Sequence, residues 1–522
     1  MSSGHRSKNV KSSMLDSVYA NCEWFITAIC VTLVFIFFMM QAYTIPTGSM
    51  ADTLKGAHFR FRCSQCGFRF DYNFHPTLYG VRENTTPGNN VPVPRRNDSP
   101  PRCPSCGYYV NRVETGDMPV MKGDRIFVAK CIYQFVDPKR WDVVVFKTPL
   151  EPKINYIKRM MALPGDRFEL IDGDVYIDGE ISRKPENVQE ELWMSVYDND
   201  FRPAHPQSSR FYKYRFSEDQ NKQMVVRPGM WRQPFRNAEG SNWDLEKDNP
   251  TEFSLSSGGG ELNTIVYDTS IGNDFKATYA YDDTRYYGMM PVCSDLMVQF
   301  YARRDAGGAI GASVSKYGIV YKGLVDALGG ILIGKIDSEG KFVTLAEGHV
   351  GEVEAGEFSL FRFSNADHQL VLEFGSEKLV YDLGVGPDGA GQRRVDIKPE
   401  VSIIGAGEVT LRHVGIFRDI HYLSYSGDNG RRILRGSEGD AFELGEDEFF
   451  VLGDNSPASL DSRWWPNPGI GNNGAEYRVG TVPREYLVGK AFFVYWPGGS
   501  KGFGKSLRLV PYVGGLKRIH GG

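Results

Sequence analysis

From Trp24 to Ala51 the chain carries no charged side chain, and Asp52 is the next one it meets. The most apolar part of this run, residues 24–40, is seventeen residues long, and as a helix it rises roughly 26 Å. That is at the short end of what crosses a hydrocarbon core. One membrane span is therefore expected, and it fixes the topology of everything that follows. A cleavable signal peptide is the alternative, but the run is long for such an apolar region and no Ala-x-Ala follows it. His5, Arg6, Lys8 and Lys11 precede it against Asp16 and Glu23, a basic excess that places the N-terminus in the cytoplasm and the later residues outside.

At 522 residues the chain is too long for one compact core. Its 60 Lys plus Arg against 64 Asp plus Glu give a net charge of -4, which argues against nucleic acid as a partner held by bulk positive charge. The 58 glycines and 13% aromatic residues favour many turns and pleated packing, so a mainly β fold is expected. Four of the eight cysteines are scattered singly: Cys22, Cys30, Cys131 and Cys293. The others repeat a CxxCG-aromatic unit, Cys63-Ser-Gln-Cys66-Gly-Phe and Cys103-Pro-Ser-Cys106-Gly-Tyr, and resemble the knuckles of a zinc ribbon. Four thiolates suit a closed structural zinc site. Outside the cytoplasm, oxidation to disulfides competes with that reading.

Three further segments carry chemistry. Directly after the span, Ile45-Pro46-Thr47-Gly48-Ser49-Met50 is a Pro/Gly-fixed loop that can expose Ser49 as a nucleophile. In Ile154-Asn155-Tyr156-Ile157-Lys158-Arg159-Met160 a strand period puts Tyr156, Lys158 and Met160 on one face and turns Arg159 to the other. Lys158 can act as a general base only when neutral, which near pH 8 requires lowering its pKa by roughly two units, about 3 kcal/mol; apolar neighbours supply that by desolvation. Finally, the apolar strand Phe449–Leu452 runs into Gly453-Asp454-Asn455-Ser456-Pro457-Ala458-Ser459-Leu460-Asp461-Ser462-Arg463, where Asp461 and Arg463 can pair and order the loop.

Together, and in this order, these segments resemble type I signal peptidase, the membrane-anchored Ser/Lys endopeptidase that removes signal peptides from exported preproteins. Gly123–Lys130 (GDRIFVAK) and Ala162-Leu163-Pro164-Gly165-Asp166 belong to the same resemblance. It implies Ser49 as nucleophile and Lys158 as general base, with Thr47 and the Ser49 backbone N–H in the oxyanion hole. Ser459 falls where the family has a serine hydrogen-bonded to the lysine. Asp461 and Arg463 fall on its supporting ion pair, and Gly453, Asp454 and Asn455 open the same loop. Ile45, Pro46, Met50, Leu54, Tyr156 and Ile157 fall on the pockets that accept small residues at the first and third places before the cut. The implied location is the plasma (inner) membrane, the implied partners are preprotein signal peptides and membrane lipid, and catalysis needs no cofactor. Asp52 replaces the Pro usual after the nucleophile, and Trp141 replaces the Gly of an Arg-Gly-Asp sequence.

Between Ile181 and Leu444 lies an insertion larger than the remaining core. Alternation in Leu296–Tyr301, Leu370–Phe374, Lys378–Tyr381, Val409–Arg412 and Val414–Ile420, with a turn at Gly375-Ser376, predicts an antiparallel β-sandwich of jelly-roll type. A glycan or protein ligand for it is one reading, a spacer without ligand another. Residues 198–249 have no assigned place in this scheme. The expected organisation is a cytoplasmic N-terminus (1–23), an anchor (24–42), a discontinuous catalytic core (43–62, 117–181 and 445–500), a zinc-ribbon-like insert (63–116), the sandwich (182–444) and a solvated basic Gly-rich tail (501–522). An anchored surface-binding protein with an inactive core is the alternative function; it predicts loss of Ser49 or Lys158, and both are present.

Overall fold

The computed structural model describes residues 6–82, 86–87, 89–93, 100–110, 112–148, 151–216, 224–246, 250–258, 260–278, 281, 290–305, 307–350, 356–384, 397–424, 434–470, 474, 476–497 and 516–521. A 34-residue helix, Arg6–Met39, opens the chain, and within it Ser17–Val34 is long and apolar enough to cross a membrane, with none of that window buried against protein. The helix stops before the expected end of the span. Residues 40–42 already belong to the strand Met40–Thr44, whose backbone pairs with Arg125–Lys130 from Met40↔Ala129 to Thr44↔Arg125. Those pairings satisfy backbone groups that a helix end would leave open.

The fold is mainly β, as expected. An eight-stranded antiparallel sheet takes the strands Met40–Thr44, Arg125–Lys130, Leu487–Trp496, Val143–Thr148, Glu151–Ala162, Glu448–Leu452 and Val482–Pro483 in that spatial order, with Lys517–Arg518 beside Leu487–Trp496. One of its faces buries Ile45, Met50, Leu54, Ile126, Val128, Val143 and Val145; another cluster holds Val144, Phe146, Met160, Val451 and Trp465. Alternate residues of Val143–Thr148 thus serve opposite faces, which is why this strand reads as a continuous apolar run. The end of the tail is no solvated segment: Lys517 and Arg518 pair with Val494 and Phe493, and Ile519 is buried in the same core. Lys501, Lys505 and Arg508 lie outside the described residues.

A second sheet joins Glu180–Ile181, Asp174–Ile177, Arg167–Ile171 and Phe442–Glu443. Because Phe442 pairs with Phe168 and Ile420, Tyr422 and Leu444 pack with Phe168 and Phe450, the stretch after Arg418 packs largely with the core, while the Asp419 N–H still donates to the Asp295 carbonyl and Leu423 packs with Ala277 and Cys293 of the insertion. The sandwich is formed between Met194 and Arg418 by two seven-stranded antiparallel sheets. They share one apolar core in which Phe300 stacks on Phe361 at 4.6 Å. Gly375-Ser376 is the predicted two-residue turn, with Phe374 paired to Glu377. The first and last strands of the unit are neighbours, Met194 pairing with Arg418. The unassigned stretch contributes the hairpin Phe211–Phe216/Met224–Gly229 and the sandwich strand Phe235–Asn237. A further hairpin, His58–Arg62/Arg69–Asn73, rises from just after the Ser49 loop and carries Cys63 and Cys66 at its tip.

Candidate active site

Ser49 and Lys158 are 109 positions apart in sequence, and the sheet brings them together. Lys158 lies in Glu151–Ala162, between the neighbouring strands Val143–Thr148 and Glu448–Leu452, and the Ser49 loop follows the strand at the sheet edge. Lys158 Nζ is 2.7 Å from Ser49 Oγ and 3.1 Å from the Ile157 carbonyl oxygen. The Tyr156 ring lies 5.5 Å from the same nitrogen, on the face the strand period assigns to both. Only 3% of Lys158 is exposed. Burial lowers its pKa from 10.5 to about 8, with the nearby Arg463 charge acting in the same direction and the Asp461 and Asp454 carboxylates opposing. Ser49 itself is half-buried, and the pair has the geometry of an activated nucleophile and its base.

The loop after Leu452 holds this pair from one side. The Asn455 backbone N–H donates to the Ser49 carbonyl oxygen at 3.1 Å, and its side-chain amide donates to Gly48 O, also at 3.1 Å. Gly453 leaves no room for a side chain: a Cβ there would lie 2.2 Å from Ser459 Oγ and 2.4 Å from the Ser49 carbonyl oxygen. Asp461 accepts from the Gly453 N–H and forms a two-point pair with Arg463 at 2.7 and 2.9 Å, both side chains having no exposed surface. Arg463 also donates to the Leu423 carbonyl and to Ser456 Oγ. The pair thus ties three turns of chain together, as its residue types suggest.

Other expected residues sit differently. Ser459 is buried against Gly453, but its hydroxyl makes no hydrogen bond among the described residues; the lysine amine is turned instead to Ser49 and the Ile157 carbonyl. Met50 and Leu54 are fully buried and form the floor beneath the loop, with Ile45 beside them. Pro46 and Thr47 are exposed, and Tyr156 and Ile157 are half-exposed at the sheet surface. Asp454 pairs with Arg159, a residue whose importance is hidden in the sequence: the guanidinium is fully buried, grips both Asp454 oxygens at 2.8 and 2.7 Å and donates to the Trp141 carbonyl. Trp141 adopts φ +72°, backbone that suits the Gly it replaces. It keeps the place through packing, buried beside Met161 and Phe450.

Two other groups of residues have ligand chemistry. The sulfurs of Cys63, Cys66, Cys103 and Cys106 all lie within 4.8 Å of one another, with Cys63–Cys106 at 3.7 Å and Cys66–Cys103 at 3.6 Å. A tetrahedral zinc with bonds of about 2.3 Å would place thiolates about 3.8 Å apart, whereas a disulfide draws them to about 2.05 Å. The spacing therefore fits a metal. The carboxylates of Asp174, Asp295 and Asp367 also converge. These are already met by buried lysines, Lys316 on Asp295 and Asp174 and Lys184 on Asp367 and Asp419, and together they fasten the sandwich to the second sheet.

Residues 108–230 and 424–496 match the family model for "Signal peptidase, peptidase S26". Over these residues the chain is similar to signal peptidase I. Signal peptidase I of Rickettsia massiliae (strain Mtu5) is 32% identical over 168 residues, which are 31% of this chain and 46% of that protein. Signal peptidase I of Rickettsia prowazekii (strain Madrid E) is 29% identical over 160 residues, covering 30% and 43%. The chain thus spans a little under half the length of the curated signal peptidases it matches. The family match takes in Lys158, Ser459, Asp461 and Arg463 and breaks across the sandwich; Ser49 precedes it. Among solved structures, the carbohydrate-binding module CBM66 from Bacillus subtilis aligns at a TM-score of 0.23 and 8% identity over 35% of this chain and 94% of its own. A likeness of that degree says nothing of what the sandwich binds.

Proposed function

We propose that this chain is a single-pass membrane endopeptidase that removes signal peptides from exported preproteins by a Ser49/Lys158 dyad, with its N-terminus in the cytoplasm. The observation that carries the reading is the 2.7 Å contact between Ser49 Oγ and a buried Lys158 amine whose pKa is lowered to about 8. Neutral Lys158 takes the Ser49 proton as the oxygen attacks the scissile carbonyl. The Ser49 N–H and the Thr47 hydroxyl stabilise the oxyanion. Collapse of the intermediate expels the new N-terminal amine, which takes the proton back from Lys158; water, activated by the same lysine, then frees Ser49 from the acyl group. The half-exposed Tyr156 and Ile157 border the cleft that receives small residues before the cut. An inactive binding protein, the alternative, has no use for a desolvated lysine against a serine.

The test is cleavage of a preprotein with Ala at the first and third positions before the cut, in liposomes. A single cut after Ala-x-Ala is expected; a full chain that leaves the preprotein intact overturns the reading.

The four cysteines are proposed to hold a structural zinc, which supplies a tetrahedral staple at the tip of the hairpin and no catalytic chemistry. Elemental analysis of the purified chain is expected to give one zinc per chain, and Cys103→Ser is expected to abolish it. Full zinc retention by that variant would sink the assignment.

A further inference from the structure

The Ser49 loop is gripped from two sides, and only one grip belongs to the signal-peptidase motifs. On the other side stands Tyr281, contributed by the sandwich-bearing insertion. Its ring has no exposed surface and packs with Ala51 and Met194. A Cβ added to Gly48 would lie 2.2 Å from Tyr281 Cε1 and 3.0 Å from Cδ1, so the ring rests against the Gly48 backbone, one residue before the nucleophile. Two polar ties hold the tyrosine there: its hydroxyl donates to the Ala57 carbonyl at 3.3 Å, and its own carbonyl accepts from the Asn73 N–H at 2.8 Å. Ala57 and Asn73 are the base of the cysteine-tipped hairpin, just after the nucleophile loop.

We infer that Tyr281 is a positioning residue for the nucleophile: the insertion supplies the wall that fixes Gly48, and with it the direction of the Ser49 N–H and hydroxyl. The inference rests on the proposed peptidase reading for its catalytic consequence, not for the brace itself. Asn455 holds the Gly48 and Ser49 carbonyls, and the Tyr281 ring fills the space a Gly48 side chain would take, so the loop is held at its carbonyls and against its Cα. Orientation of this kind is worth much when the reacting atoms must hold a near-attack geometry. Because Gly48 has no side chain of its own to wedge the loop, removing the ring frees the peptide unit that carries the Ser49 N–H.

Two readouts on the full chain in liposomes test this. By hydrogen–deuterium exchange, Tyr281→Ala is expected to speed exchange at residues 48–51 at least tenfold while the sandwich strands keep their protection. Unchanged exchange at 48–51 overturns the brace whatever the activity. In preprotein cleavage, Tyr281→Ala is expected to lower kcat at least tenfold with KM within twofold. Tyr281→Phe, which keeps the ring and loses only the long hydroxyl bond, is expected to recover at least a third of kcat. A Tyr281→Ala protein with wild-type kcat, or one whose loss lies entirely in KM, overturns the positioning role. If the wild type itself cuts nothing while exchange at 48–51 still rises in Tyr281→Ala, the brace stands and the peptidase reading is what falls.

Discussion

Replacing Lys158 with alanine is expected to cut kcat on an Ala-x-Ala preprotein on the order of 10³- to 10⁴-fold, and Ser49→Ala by at least as much. Either loss breaks the same 2.7 Å contact, so the double variant should be little worse than each single one. The pH profile carries the sign of the mechanism. The amine must be neutral to act, and burial has brought its pKa down to about 8. In the wild type kcat/KM is therefore expected to rise about tenfold per pH unit below that value and to flatten above it. A profile that falls between pH 6 and 8, or a Lys158→Ala protein that keeps substantial activity, removes the lysine from the base role. An ordinary surface lysine near pKa 10.4 would leave the limb two units further up, which makes the position of the bend, and not merely its existence, the diagnostic quantity.

Arg463→Met is expected to destabilise the eight-stranded sheet by about 3–5 kcal/mol, because it strands the Asp461 carboxylate in a site with no exposed surface. The guanidinium also holds the Leu423 carbonyl and Ser456, so the loss reaches the segment that returns from the sandwich. The double replacement Asp461→Leu with Arg463→Met is expected to recover part of the loss, since removing both charges costs less than orphaning one. Scanning calorimetry in detergent checks both, with the sandwich transition as an internal reference. A single replacement that leaves the sheet's transition in place would show the pair to be dispensable.

The candidate site was legible in the sequence where its geometry depends on neighbours along the chain. Loop-forming Pro46 and Gly48 announce the turn that carries Ser49, although the side chain is half-buried and not exposed, and the strand period puts Tyr156 beside Lys158, as found. What depends on distant partners was not. Period two rightly turns Arg159 away from Lys158, but the opposite face is no surface: it is the interior where Asp454, 295 positions later, meets the guanidinium. Met50 and Leu54 are apolar residues in a loop, equally suited to line a pocket or to anchor its floor; burial assigns them the floor. The sandwich strands with clean alternation are visible, such as Leu370–Phe374, whereas the packing of the tail's end is not, because Ile519, the buried apolar residue among the tail's described residues, sits among glycines and charges. Tyr281 stands in no motif at all. Only the three-dimensional packing of an inserted unit onto Gly48 gives it a role.

The pairing of Met194 with Arg418 changes how such a large interruption of the chain should be viewed. An unstructured stretch of that length between the lysine strand and the bracing loop would make the two halves of the site search for each other through a long flexible tether. Once the sandwich has folded, its two ends leave side by side, and the tether shrinks to the short connections on either side. The sandwich therefore has the form of a clasp: once folded, it turns what would be a remote encounter between the lysine strand and the bracing loop into a local one.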